Sequence, residues 1–297
     1  MELALRDVVK TFGSFRALDG VSLSIPSGQK VALIGPNGSG KSTLTRILMG
    51  MSAFEGQALL DGLSPLEKRM SLARRMAYVP QNPPRLAASV ADVVEAVATI
   101  REIDPTQVGE TASRLDLNLE ALSDRPVRDL SAGMKQKLMI ALALSGRADL
   151  LILDEPTASL DAQARARFFE LFAERAEAAT LILCSHRLEE IQYLVEHVVA
   201  LDAGKVVFDG PVGDFLAARA VSMVEIATTA DHHADWLRDR GFRPATASSW
   251  ARAVARSEKL SLLREIANRF NGDLDNIVIR DVETVALEAS EPLEARS

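Results

Sequence analysis

Nine consecutive residues, Gly35-Pro36-Asn37-Gly38-Ser39-Gly40-Lys41-Ser42-Thr43, carry three glycines, one lysine and three hydroxyls. They fit G-x-x-x-x-G-K-[ST], a spacing that suits a polyphosphate. Glycines at 35, 38 and 40 let backbone N–H groups converge on an anion without side chains in the way. A helix starting here adds the positive end of its dipole. Lys41 would then reach the outer phosphates, and the Ser42 hydroxyl would hold Mg²⁺. The flanks agree. Lys30-Val31-Ala32-Leu33-Ile34 reads as a buried strand, and 44–49, apolar at Leu44, Ile47 and Leu48, as a helix ended by Gly50.

A second chemical cluster lies downstream. Leu150-Leu151-Ile152-Leu153-Asp154-Glu155-Pro156 is an apolar strand closed by two acids. A strand this apolar is covered on both faces, as in parallel sheets, and ligands bind at the carboxyl ends of such strands. Asp154 can approach a Mg²⁺ held at Ser42, and Glu155 can orient or deprotonate a water aimed at a γ-phosphate. Thr180 to Cys184 is another buried strand, ending at Ser185-His186. A lone His is usually structural, but at the end of a core strand His186 can contact the γ-phosphate or its water. Leu130 to Lys137 opens a helix running to Leu144, with Ser131 as its cap and small residues at 132 and 133. This is either an ordinary capped helix or a second anion-ready start. Gln81, after the strand 76–80, is a Mg²⁺ or water ligand, or a surface polar residue. Phe12 could stack on adenine or simply pack. His197 starts a strand and is expected to be structural. His232-His233 suggests a metal, but no third ligand at suitable spacing accompanies the pair, so none is expected there.

Several elements must position these groups. Leu3, Leu5, Val21, Leu23 and Ile25 alternate, so residues 1–34 read as antiparallel β. Residues 56–62 are a strand and turn, and Pro65 to Arg75 reads as a helix with proline in its first turn. Residues 83–146 look helical, with Val90, Val93, Val94 and Val97 at helical spacing, which makes them a helical insertion. A helix is expected over 162–177 and a strand over 198–202. Residues 218–288 read as β-α-β-α-β, a small α+β unit. Within it Ala234 and Leu237 face inward on a helix over 231–240. Ser257 caps a helix with Leu260, Leu263, Ala267 and Phe270 on one stripe. Residues 289–297 are expected to be a loose tail.

Bulk properties limit the function. The 297 residues allow one large domain or two ordinary ones, and 47% apolar content suffices for a core. A net charge of −7 leaves no global basic face for nucleic acid. The lone Cys184 excludes an internal disulfide and fits a reducing compartment. The N-terminus has no targeting pattern, and the run Leu138–Leu144 is far short of the ~20 residues a membrane helix needs. The chain is therefore expected to be soluble by itself, so any spanning part must come from a partner.

As an ordered set these residues strongly resemble the ATP-binding-cassette (ABC) ATPases, over roughly residues 1–217. Residues 35–43 match the family's Walker A, Gln81 its Q-loop and 130–134 its signature. Residues 150–155 match Walker B, with Glu155 in the place of the catalytic glutamate. Ser159-Leu160-Asp161 matches the D-loop, His186 the switch histidine, and Phe12 the adenine-stacking aromatic. The usual signature is Leu-Ser-Gly-Gly-Gln and here it is Leu-Ser-Ala-Gly-Met, a form familiar in type-2 exporters. It keeps Ser131 and Gly133, which the family places on the γ-phosphate of ATP held by an opposing subunit.

The resemblance implies an α/β P-loop NTPase cassette. It has a mostly parallel core sheet, an antiparallel β subdomain and a helical insertion, plus the small α+β C-terminal domain. That domain resembles the C-terminal extension of drug- and lipid-export ATPases, and of the cassette serving nitrous-oxide-reductase maturation. The resemblance also implies ATP with Mg²⁺ held by Ser42, Gln81 and Asp154. Lys41, Glu155 and His186 would act in hydrolysis, and Asp161 would lie at the composite site. Partners would be a transmembrane permease subunit on the cytoplasmic face of the membrane and, with ATP bound, a second copy or a similar cassette. Two alternatives stand beside this reading. A soluble ABC ATPase of ribosomes or DNA usually carries two cassettes, coiled coils or zinc motifs, none visible here. A non-hydrolysing regulatory cassette is opposed by the intact Asp154-Glu155 pair and His186.

Overall fold

The computed structural model describes residues 1–219, 221–228, 230–245, 249–270 and 272–282. The expected tail at 289–297 and the Asn271 end of the last helix lie outside the described residues. The chain divides into two units, Met1–Val212 and Gly213–Val285.

The larger unit begins with β1 (Leu3–Phe12), β2 (Phe15–Ile25) and β3 (Lys30–Ile34). Next come α1 (Lys41–Leu48), β4 (Glu55–Leu60), α2 (Arg69–Ala73) and β5 (Met76–Val79). The helical segment is α3 (Val90–Arg101), α4 (Pro105–Arg114) and α5 (Ala132–Leu144). Then follow β6 (Leu150–Asp154), α6 (Ala162–Arg175), β7 (Thr180–Cys184), α7 (Leu188–Leu194), β8 (His197–Asp202) and β9 (Lys205–Pro211).

Two sheets result. The antiparallel one has the order β2-β1-β4, and the larger has the order β5-β6-β7-β3-β8-β9. In the larger sheet every pairing is parallel except β8 with β9. Period-2 alternation explains how one core serves both sheets. Leu3, Leu5, Leu23 and Ile25 from the antiparallel sheet share a buried cluster with Leu44, Ile47 and Leu48 of α1. Val31, Leu33, Leu150 and Ile152 from one face of the larger sheet complete it. Their neighbours Ala32, Ile34, Leu151 and Leu153 are buried too. The central strands are therefore covered on both faces, which is why they read as unbroken apolar runs.

The helix expected from Pro65 to Arg75 is shorter, with α2 confined to Arg69–Ala73. Residues 65–67 form a turn that presses on the end of α1, where a Cβ on Gly50 would lie 2.2 Å from the Pro65 carbonyl oxygen. The Lys68 amide donates to the Ser64 carbonyl at 2.9 Å just ahead of Arg69. His197 has the structural role expected of it, with Nε2 2.6 Å from Asp209 Oδ1 on the neighbouring strand.

At the boundary lies α8 (Val212–Arg219). The smaller unit continues with β10 (Val221–Ala227), α9 (Ala234–Asp239), β11 (Arg243–Pro244), β12 (Ser249–Ala255), α10 (Arg256–Phe270) and β13 (Asn276–Val282). Its sheet order is β11-β12-β10-β13, all antiparallel. The two-residue β11 is a strand that the pattern did not suggest. On α10 the buried stripe is Leu262, Ile266 and Phe270, with Leu263 at its edge. Leu260 is 68% exposed and Ala267 is exposed, so the expected stripe was rotated. Both stripes have helical spacing, and the rotation that seats Leu262 and Ile266 with Val224, Ile226 and Val254 prevails.

Candidate functional site

The glycine-rich turn joins β3 to α1, and its shape depends on what lies beneath it. Gly35 faces the end of β8, where a Cβ would meet the Leu201 carbonyl oxygen at 2.2 Å and Ser39 Oγ at 2.4 Å. Gly40 has φ +107°, and a Cβ there would meet the Ala17 carbonyl oxygen and Leu18 Cδ2, each at 2.6 Å. The Gly204 amide donates to the Ser39 carbonyl at 3.1 Å, tying the base of the loop to the β8–β9 turn. Ser39 and Gly40 are thus buried while Asn37 and Gly38 form an exposed crest. Gly40 caps α1 with no side-chain hydrogen bond, so no capping side chain takes up the first-turn N–H groups. Lys41 Nζ donates to the carbonyls of Gly35 at 2.6 Å and Pro36 at 3.0 Å, which lays its charge along the loop. Ser42 is exposed and Thr43 half-buried at the start of α1.

The acids sit where β6 ends beside β7, with Asp154 paired to Cys184. Burial pushes the Asp154 carboxyl up, and the neighbouring Glu155 charge adds to this, while Lys41 and Arg46 of α1 pull it down. Asp154 therefore senses the lysine of the glycine-rich turn. Glu155 has φ +47°, a left-handed conformation costing roughly 1–2 kcal/mol in a non-glycine residue. Its amide is held by the Cys184 carbonyl at 2.8 Å. Glu155 Oε1 accepts from the His186 amide at 3.1 Å and lies 2.7 Å from His186 Nδ1. Glu155 Oε2 is buried with no hydrogen-bond partner among the described residues. The Glu155 side chain is 13% exposed and the His186 ring 71%, so the imidazole covers a carboxylate that keeps one unused oxygen.

Two buried polar residues support this edge, and neither stood out in the sequence. Glu190 of α7 is fully buried, and its Oε1 accepts from Thr157 Oγ1, just after the acidic pair. Burial pushes its carboxyl up, while hydrogen bonds to Ser185 and Thr157 pull it down. Gln136 of α5 is also buried, and its Nε2 donates to the Pro156 carbonyl at 2.9 Å. It thereby ties the helix that starts at Ser131 to the chain just past Glu155. The sequence offered no signal for Glu190, whose partner Thr157 lies 33 positions away. For Gln136, flanked by Lys135 and Lys137, the sequence offered no signal.

The remaining candidates fall in various places. Gln81 is exposed two residues past β5, and the pairing of Val79 with Leu153 puts it at the sheet edge that carries Asp154. Tyr78 on β5 is pushed up to about 12, by burial first and by Asp154 second. Phe12 is the last residue of β1, opposite Phe15 across the hairpin, and is 49% exposed. Lys10 Nζ stands 4.8 Å from its ring centroid. Ser131 accepts from the Met134 amide at 3.2 Å, and a Cβ on Gly133 would lie 3.2 Å from the Ser159 carbonyl oxygen. Asp161 caps α6, accepting from the Ala164 amide at 2.8 Å. The structure thus gathers Lys41, Asp154, Glu155 and His186. No described hydrogen bond joins Phe12, Ser131 or Asp161 to residues 35–43.

Comparison with known proteins gives a consistent picture. The ABC transporter family matches residues 18–158. The chain is 35% identical over 216 residues to the Nod factor export ATP-binding protein I of Cupriavidus metallidurans, covering 70% of each. It is 34% identical over 239 residues to the nickel import ATP-binding protein NikO of Rhodobacter capsulatus, covering 73% of this chain and 92% of the relative. A solved structure described as the ATP binding subunit of an ABC transporter superposes with TM-score 0.66 at 26% identity. That match covers 74% of this chain and 93% of the other.

Proposed function

The chain belongs to the ABC transporter family of ATP-binding subunits, and from that premise we propose that it hydrolyses ATP to drive a separate membrane-spanning subunit, in the export direction. The observation that carries the hydrolytic part is Glu155, a carboxylate pinned by His186 through one oxygen, with the other buried and unpartnered among the described residues. Such an oxygen suits the proton of an attacking water. Lys41 and the backbone of residues 35–43 bind the phosphates. The water oxygen bonds to the γ-phosphorus, its proton passes to Glu155, and the bond to the bridging oxygen breaks, leaving ADP and phosphate. His186 holds Glu155 in place and faces the γ-phosphate side.

Ser42, Gln81 and Asp154 would hold Mg²⁺. The donor set of one hydroxyl, one amide oxygen and one carboxylate suits a hard cation, and a desolvated Asp154 gains from one. Bound there, Mg²⁺ would neutralise charge on the phosphate oxygens. Phe12 is proposed as an adenine contact.

The chain has one glycine-rich turn and one signature, so Ser131, Gly133 and Asp161 serve an ATP bound mainly by an opposing copy or a similar cassette. Among the described residues no helix is long and apolar enough to cross a membrane. An apolar groove lined by Met49, Met51, Pro65, Leu72, Met76 and Tyr78 fits docking of a permease subunit on the cytoplasmic side. Export is supported by the Leu-Ser-x-Gly-Met signature and by the Nod factor export relative.

The test is Glu155→Gln, assayed for ATPase with the membrane subunit and sized with ATP. We expect turnover to fall ~10²- to 10⁴-fold while ATP still binds and a dimer accumulates. Wild-type turnover in the variant, or a monomer under every condition, overturns the reading. Uptake into inside-out vesicles tests direction.

A further inference from the structure

The smaller unit brings two adjacent histidines together with an aspartate that follows the second of them by 40 positions in sequence. Pairing of Ala227 with Asn276 puts the exit of β10 beside the entry of β13. The turn 231–233 follows the first and Asp273 precedes the second. The Thr228 hydroxyl donates to the Asp273 carbonyl at 2.7 Å, and the Asp275 amide to the Ala227 carbonyl at 3.0 Å, which fixes the two segments together. Within this corner His232 Nε2 and His233 Nε2 each lie 3.1 Å from Asp273 Oδ2. All three ligand atoms fall within 4.8 Å of one another.

We propose that His232, His233 and Asp273 form a binding site for a divalent transition-metal ion of the Zn²⁺ class, separate from the nucleotide site. Bonds of ~2.0–2.1 Å to a tetrahedral ion place neighbouring ligand atoms ~3.3 Å apart, close to the 3.1 Å found for both His–Asp pairs. Two imidazole nitrogens and one carboxylate oxygen select Zn²⁺, Co²⁺ or Ni²⁺ over Mg²⁺ or Ca²⁺. The ligands are also held in place. The His233 side chain is 4% exposed and stacks on Phe270 with centroids 4.1 Å apart, and the His232 ring lies 4.0 Å from it. His232 and Asp273 open to solvent, which provides an entry path and a water for the fourth position. The ion would link the start of α9 to the start of β13 in a unit whose core is small. A metal that binds only the folded form stabilises it by mass action.

The experiment uses the full chain without nucleotide or Mg²⁺, titrated with Co²⁺ and followed by its visible absorption. Zn²⁺ competition against a chromophoric chelator follows, on wild type, His232→Ala, Asp273→Asn and the control His197→Gln. We expect one ion per chain with a tetrahedral Co²⁺ spectrum in wild type and control. Affinity should fall at least ~10-fold in the two ligand variants. His232 is two-thirds exposed, so its variant should melt like metal-free wild type. Zn²⁺ should raise the melting temperature of wild type but not of either ligand variant. No stoichiometric ion in wild type, or binding that survives both ligand substitutions, overturns the proposal.

Discussion

Alanine at Gly40 should damage the fold, whereas alanine at Gly38, two residues away in the same loop, should damage ligand binding. Both positions have φ in the left-handed region, +107° and +84°. The difference is what a methyl group would meet. At Gly40 it falls 2.6 Å from the Ala17 carbonyl oxygen, a backbone atom that cannot rotate away, and 2.6 Å from Leu18 Cδ2. At Gly38 nothing lies within 4 Å. Backbone strain at Gly40 costs roughly 1–3 kcal/mol and the overlap about the same again, ~2–6 kcal/mol together. At roughly 2–4 °C per kcal/mol for a unit of this size, Gly40→Ala should melt ~4–24 °C below wild type. Gly38→Ala carries strain alone, about 1–2 kcal/mol, and a smaller fall. Its methyl stands on the exposed crest where phosphate would rest, so its ATP affinity should drop more than its stability. Thermal unfolding by circular dichroism without nucleotide, with a fluorescent ATP analogue titrated in parallel, separates the two. Equal melting temperatures for both variants would refute the argument that β2 packs beneath the loop.

Two further outcomes concern other parts of the chain. The folded Glu190 carboxyl titrates above its ordinary value of 4.5, so its contribution to stability is full below that value and is lost as pH rises through the folded one. Glu190→Gln should therefore melt above wild type near neutral pH, with the gap closing toward pH 4.5. A gap that does not change with pH would mean that burial does not disfavour the charge. In the smaller unit Leu262→Ala should cost about 2–5 kcal/mol and Leu260→Ala no more than about 0.5, since Leu262 is 5% exposed and Leu260 68%. Denaturant unfolding measures both, and the reverse order would restore the stripe that the sequence suggested.

The sequence by itself determined whatever depends on neighbours a few positions apart. The spacing of Gly35, Gly40 and Lys41 predicted a strand, a tight turn and a helix, and β3 and α1 flank that turn. Apolar runs at 150–153 and 180–184 predicted strands buried on both faces, because parallel neighbours and helices leave no wet side. Ser131 read as a helix cap and is one. Tertiary structure decided which of two equally periodic stripes on α10 faces the sheet, because both satisfy helical spacing and only packing separates them. It also decided that α2 is confined to Arg69–Ala73 and does not begin at Pro65. It set the left-handed φ of Glu155, which the Cys184 carbonyl secures from the neighbouring strand. Above all it assigned partners to polar side chains. Glu190, Gln136 and Asp273 did not stand out in the sequence, since their partners lie far from them along the chain. Thr157, Pro156 and His232 reach them only once segments distant along the chain lie side by side. A buried polar group is stable only beside such a partner, and periodicity does not encode which one the fold will bring.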